Sequence, residues 1–302
     1  MSLMFAQKQF APAMSQDSIA LACPAALSNV SSPDTSMRYN FISTGKAIEI
    51  LNDSGWHVTS AKQTKSRNAD SAAFTNHLVS FAPTHPIGTD SDLQPNLVLY
   101  NSHNAKSSLQ LMAGLIRFTC DNSLVAGEGF KAKLSHRHLN ESSFQTMLTD
   151  IIASLPNMLQ KIERMKETKL DARQCLDFAY DAASLRWGIH DSDKREIMSE
   201  KDSGLYAVND SASFGQSTLQ DLLSVRRRGD IGTDTFTIFN RIQESIMTGG
   251  SKYQAPVRVL SYNKDKDLSK WRKAKPISQI KTVIDTNRKL WDLADQFALE
   301  AA

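Results

Sequence analysis

Pro95–Gly129 reads PNLVLYNSHNAKSSLQLMAGLIRFTCDNSLVAGEG. Its apolar runs are short and are bounded by Asn, Ser, Asp and Gly, the pattern of strands joined by turns. Set among those runs are Asn101, Ser102, His103, Arg117, Cys120 and Asn122. An unpaired buried amide or imidazole costs about 1 to 3 kcal/mol. Polar residues gathered in an apolar stretch therefore imply a hydrogen-bonded network, a ligand site, or both.

Outward from this block the same period of two continues. Trp56 to Lys62, His77 to Phe81, Asn96 to Ser102, Ser108 to Gly114 and Phe130 to Ser135 read as strands of an antiparallel sheet, while Gly114 to Val125 fits helix or strand. A short helix over Thr44 to Asn52 precedes them and stops at Asp53-Ser54-Gly55. After His138 the period changes. Phe144, Met147, Leu148, Ile151, Ile152, Leu155, Met158, Leu159, Ile162 and Met165 recur at threes and fours, the stripe of one long amphipathic helix. Ser142 with Gln145 makes a capping box at its start, and Pro156 predicts a kink or a division.

Further helices are predicted over Asp171 to Arg186, Thr218 to Arg227 and Asp234 to Met247, and after Pro276. Gly188 to Phe214 reads as a long polar surface loop, and Ser251 to Lys275 as a basic linker. Strands first and helices later predict an α+β protein, with an antiparallel sheet in the N-terminal half packed by long helices from the C-terminal half. Residues 1–36 read as a flexible arm, mobile or docked on another element. Residues 37–302 read as a single domain, strand-rich over 56–136 and helical over 140–302.

Hydrophobic residues are 41% of the 302 and charged residues 22%, which excludes wholesale disorder and fibrous repeats. No apolar run reaches the roughly 18 to 20 residues that span a bilayer. Lys8 before a broken apolar stretch makes a poor signal peptide, so the chain reads as cytoplasmic. Cys23, Cys120 and Cys175 are too far apart for a metal knuckle and odd in number, so buried thiols are expected. Net charge is only +3, yet Lys252 to Lys289 holds eleven Lys or Arg against three Asp, a formal +8. Such asymmetry points to an anionic partner or to a solvated loop.

Three blocks resemble a known family: VLYNSHNAKSSLQLMAGLIRFTCDNSLVAG at Val98–Gly127, RRRGDIGTDTFTIFNRIQESIMTGG at Arg226–Gly250, and NRKLWDLADQF at Asn287–Phe297. They are similar to the phage/plasmid-like proteins grouped as a domain of unknown function, number 932. The resemblance implies a setting on phages, plasmids and integrated elements and no established activity. It marks Asn101, Ser102, His103, Arg117, Cys120, Asn122, Arg226, Arg227, Asn240, Arg241 and Gln243 as positions of the family pattern.

Ser102 and His103 are adjacent on a predicted strand and point to opposite faces, which opposes a nucleophile-and-base pair. A thiol nucleophile at Cys120, with His103 and Arg117, is the enzymatic alternative. His136-x-His138 is the closest histidine pair and reads as surface; no metal or cofactor is expected, and no Gly-rich phosphate loop occurs. Arg226, Arg227 and Arg228 at a helix end suit phosphate, as does Trp271 among Lys270, Arg272 and Lys273, where an indole and charges could hold a single strand. Asn240 and Gln243 share a helix face and would meet a base edge or a backbone, or lock that helix onto the sheet through the Asn101 to His103 cluster, with Asn287 fitting the same internal network.

The leading expectation is a nucleic-acid-binding accessory protein of a mobile element, acting in replication, recombination or DNA protection, with single-stranded DNA as a partner and a homo-oligomeric form possible. A protein-binding inhibitor of a host defence system, docking through the loop from Gly188 to Phe214 on a host protein, is the alternative from another class.

Overall fold

A computed structural model of the chain describes residues 12–66, 68–88, 93–117, 122–125, 127–187, 216–253 and 272–301. Two compact units divide the chain, Met1–Leu159 and Gln160–Ala302.

The first unit is built on six antiparallel strands: β1 (Trp56–Gln63), β2 (His77–Pro83), β3 (Leu93–Asn101), β4 (Leu109–Arg117), β5 (Asn122–Val125) and β6 (Lys131–Leu134). β1 to β4 follow in order, and the free edge of β4 is shared: β6 pairs with Leu109–Met112 and β5 with Gly114–Arg117. Pro95 lies inside β3, where a missing N–H would break a ladder. The β2 pairing covers only Leu97 to Asn101, so Pro95 sits beyond it and pairs with Leu115 alone.

Helix α1 (Gln16–Ala22) is capped by Ser15, whose Oγ accepts from Ser18 N at 3.2 Å. Met14 N donates to the Val58 carbonyl at 2.7 Å, and Ala25 N donates to Gln63 Oε1 at 2.9 Å. Cys23, Ala25 and Ala26 are buried, so the described part of the N-terminal segment is docked on the sheet. Ser43 caps α2 (Thr44–Asp53) through Lys46 N, and α2 buries Ala47, Ile48, Ile50 and Leu51.

Helix α3 (Glu141–Glu167) runs unbroken through Pro156, so the expected division does not occur. Its cap lies two residues before the expected box. Asn140 Oδ1 accepts from Ser143 N at 2.8 Å while Ser143 Oγ accepts from Asn140 N at 3.0 Å. Asn is among the strongest N-cap residues, and the reciprocal pair satisfies both orphan donors.

The second unit is helical. Asp171 and Gln174 cap α4 (Ala172–Trp187) reciprocally, at 2.8 and 2.9 Å. Helix α5 is Gln216–Leu222, α6 is Thr235–Thr248 and α7 is Ile280–Glu300; short strands β7 (Lys252–Tyr253) and β8 (Arg272–Lys273) pair antiparallel. Asp234 Oδ1 caps α6, and Gly249 ends it at φ 74°, where a Cβ would stand 2.6 Å from the Ala274 carbonyl oxygen. Glycine is therefore required there.

Phe178 stacks on Phe297 with centroids 4.9 Å apart, and Phe239 meets Trp291 edge-on at 6.1 Å. Asp295 of α7 pairs with Lys161 at 2.6 Å and with Arg164. The fold class is α+β, sheet first and helices after, as the change of period at His138 predicts. Among the described residues no helix is long and apolar enough to cross a membrane.

Candidate functional site

The polar cluster legible in the sequence is organised by a residue that sequence reasoning passed over, Thr44 at the start of α2. Its hydroxyl oxygen lies 2.7 Å from His77 Nε2, 3.1 Å from His103 Nε2 and 3.1 Å from Asn101 Nδ2, and all four residues are fully buried. A hydroxyl has one proton and two lone pairs, and Asn101 donates to one of them. His77 Nδ1 lies 2.8 Å from the Thr75 carbonyl, which only accepts, so Nδ1 carries the ring proton and Nε2 accepts from Thr44. The hydroxyl proton is then committed, and His103 Nε2–H donates to Thr44. His103 Nδ1 and Asn101 Oδ1 receive no donor, and the Ala73 carbonyl beside the His103 ring can only accept.

Both imidazoles are neutral. Burial lowers the pKa of His77 to about 4. Burial, and then the neighbouring His77 and His136, lower that of His103 to about 3. A sealed, neutral pair with committed Nε2 atoms holds structure in place.

What it holds is the turn between β3 and β4. The backbone of His103 is fixed from both sides, by Ser32 N on its carbonyl at 2.8 Å and by its own N–H on the Phe74 carbonyl at 3.2 Å. Ser102 Oγ accepts from Ser107 N at 3.1 Å and Ser107 Oγ at 2.8 Å, and Tyr39 Oη donates to the Ser102 carbonyl at 3.1 Å. Ala105 adopts φ 58°, a left-handed conformation that costs a non-glycine residue about 1 kcal/mol.

Two further turns are stitched to this one. Tyr39 N closes on the Ser36 carbonyl and His138 N on the Ser135 carbonyl, Asn40 bonds the carbonyls of His136 and Arg137, and His136 Nε2 donates to the Ser107 carbonyl at 3.1 Å. Tyr39 stacks on His136 with centroids 4.5 Å apart. His136 is thus buried, which corrects its reading as a surface residue; His138 is exposed.

The three turns enclose an open cleft of about 410 Å³ lined by Arg38, Lys106, Lys133 and Arg137, with Tyr39 and His136. All four cations are exposed. Among the described residues no carboxylate lines the cleft, and none is ion-paired to these four. A larger cavity of about 710 Å³ beside α1 and α2 is different in kind, since its Lys46 is paired with Glu49 at 3.2 Å.

The residues expected to grip phosphate in the second unit lie elsewhere. Helix α5 ends at Leu222, not Arg227, so Arg226 to Arg228 stand beyond it, with Arg227 and Arg228 opening a single 3-10 turn over Arg228–Asp230. Arg226 and Arg228 are exposed, whereas Arg227 is committed to Glu244, with Nε to Oε2 at 3.1 Å and Nη2 to Oε1 at 2.9 Å. Arg241 is buried and donates to the carbonyls of Asp230, Gly232 and Leu223, closing their turn. Asn240 donates to the Phe236 carbonyl at 2.6 Å, and Gln243 donates to Asn287 Oδ1 at 2.8 Å, joining α6 to α7. Asn240, Arg241 and Gln243 thus have these partners within the second unit.

Arg117 and Asn122 are register partners of β4 and β5. Lys273 is exposed and Arg272 pairs in β8, whereas Cys120, Lys270, Trp271 and the loop from Gly188 to Phe214 lie outside the described residues. Cys23 and Cys175 are buried; burial raises the pKa of Cys23 to about 11 and raises that of Cys175 as well, which leaves both as inert thiols.

Two relatives in Escherichia coli (strain K12) are similar to this chain: UPF0380 protein YfjQ and UPF0380 protein YafZ, each 27% identical over 236 residues, covering 75% of this chain and 74% of the relative. No solved structure matches. Residues 34–291, which take in both the Thr44 network and the cleft, match the family described as a domain of unknown function (DUF932), and the chain belongs to that family.

Proposed function

We propose that this protein binds nucleic acid through the cleft formed by the turns at residues 36–40, 102–108 and 135–138, as an accessory protein of a mobile element acting in replication, recombination or DNA protection. The observation that carries the reading is the convergence of Arg38, Lys106, Lys133 and Arg137 on one cleft with no carboxylate lining it among the described residues. Cations gathered in this way, without partners of their own, hold mobile counterions. A polyphosphate backbone displaces those ions, and the entropy of their release drives binding. Ser36, Ser108 and Ser135 on the same walls add hydroxyl donors to phosphate oxygens. The setting on mobile elements rests on the family resemblance alone.

The reading moves the interface away from the arginine triplet, because Arg227 is already occupied by Glu244. Its test is the material that travels with the protein. Purified at low salt, the wild-type chain carries nuclease-sensitive, ultraviolet-absorbing material that a high-salt wash removes; the Arg38→Ala/Lys133→Ala variant carries far less, and Arg226→Ala/Arg228→Ala carries the wild-type amount. Nucleic acid retained equally by all three proteins, or by none, would overturn the reading.

A further inference from the structure

We propose that the cleft takes up one proton together with its phosphate ligand, at Nδ1 of His136, so that binding strengthens as the pH falls. The inference rests on the cleft being the nucleic-acid site and adds how that site is regulated.

The tautomer of His136 follows from its partner. Nε2 faces the Ser107 carbonyl, which can only accept, so Nε2 carries the proton of the neutral ring and Nδ1 is a bare lone pair. That atom is buried and has no hydrogen-bond partner, on a residue that lines the cleft and is only 6% exposed. A buried acceptor without a donor costs about 1 to 3 kcal/mol, and a proton is the smallest thing that relieves it.

Free of ligand, the ring resists that proton. Burial holds its pKa below the ordinary imidazole range, while the Ser107 and Asn40 carbonyls beside it favour the charged form. The charged groups that share the cleft with it are Arg38, Lys106, Lys133 and Arg137, all positive. Tyr39, stacked on the ring, is neutral because burial raises its phenol to about 12. His103, the other titratable group acting on it, is also neutral. Neutralising the four cations with phosphate removes their opposition to a charge on His136, and the Asn40 carbonyl then has an N–H to accept. The step is a simple uptake: a buffer acid or hydronium gives up one proton, which adds to the Nδ1 lone pair, and the conjugate base returns to solvent.

By linkage, a ligand that favours the protonated ring binds more tightly where protons are plentiful. The probe is a fluorescent thymidylate oligonucleotide, whose phosphodiesters and bases do not titrate between about pH 5.5 and 8, the window in which a histidine changes charge. At constant ionic strength the wild-type affinity should rise as the pH falls, by up to about tenfold per pH unit for one proton. His136→Gln supplies an amide N–H for the Ser107 carbonyl but does not titrate. Whatever its absolute affinity, that variant should bind with no pH dependence across the range. Calorimetry of the wild-type protein in two buffers of different protonation enthalpy reports proton uptake directly and needs no variant.

Equal pH slopes in wild type and His136→Gln, or no net uptake in calorimetry, would overturn this inference while leaving the cleft as the binding site. An oligonucleotide that binds nowhere in the range would remove both.

Discussion

Replacing Thr44 with valine exchanges the hydroxyl for a methyl of similar size, so little cavity is created and the change is one of polarity. Three buried groups then lose their partner: His77 Nε2 as an acceptor, and His103 Nε2–H and Asn101 Nδ2 as donors. At about 1 to 3 kcal/mol for each unsatisfied group, and allowing two neutral imidazoles 4.9 Å apart to re-pair in part, a loss of about 3 to 5 kcal/mol remains. That is a large share of the about 5 to 15 kcal/mol that a domain has. Thr44→Ser retains the hydroxyl and loses one methyl, for about 1 kcal/mol. Because the chain has two compact units, a single global midpoint would blur the effect. Native-state hydrogen exchange of β2 and β3 amides reads it locally, with α6 and α7 amides as the internal control. Protection in Thr44→Val within about 1 kcal/mol of Thr44→Ser would refute the hub.

Acid should destabilise the same network. His77 and His103 have pKa values lowered to about 4 and about 3 in the fold, against about 6.5 unfolded, so their neutral forms support the fold fully above pH 6.5. As the pH falls from there toward 4, the unfolded chain takes up protons that the folded one refuses, and these two residues together withdraw about 3 kcal/mol per pH unit. Urea unfolding at several pH values checks this, and stability that stays level from pH 7 to 5 would contradict it. Arg227→Ala, which breaks a pair with side chains 36% and 12% exposed, should cost about 1 kcal/mol or less and leave oligonucleotide affinity unchanged. An affinity loss beyond about threefold in fluorescence anisotropy would place Arg227 in the interface instead.

The α+β order was legible because it lives in local periodicity: the twos of β1 to β4 and the threes and fours of α3 can be counted without tertiary knowledge. The Asn101-Ser102-His103 cluster was legible as polar residues set in an apolar stretch. Its hub was not, since Thr44 is an unremarkable first-turn residue of α2 that only tertiary packing brings to His77 and His103, beside the His77–Asn101 pair of the β2–β3 register. The end of α5 was misplaced because Val225 and the arginines prolong a helical pattern that the chain abandons at Leu222. The cleft had no local signature. Arg38, Lys106, Lys133 and Arg137 come from segments spread over about a hundred residues, and each taken alone reads as a solvated charge. The β4–β6 pairing and the bonds of Asn40 to the His136 turn gather them, whereas local charge density in the sequence is higher from Lys252 to Lys289.

The most direct test is the salt dependence of binding to a thymidylate oligonucleotide. Four phosphate contacts on a single strand give a slope of log affinity against log salt of about −3, and the Arg38→Ala/Lys133→Ala variant should reduce it to about −1.4 while weakening binding. A slope unchanged by that variant, with affinity intact, would show that the cleft does not meet the phosphates.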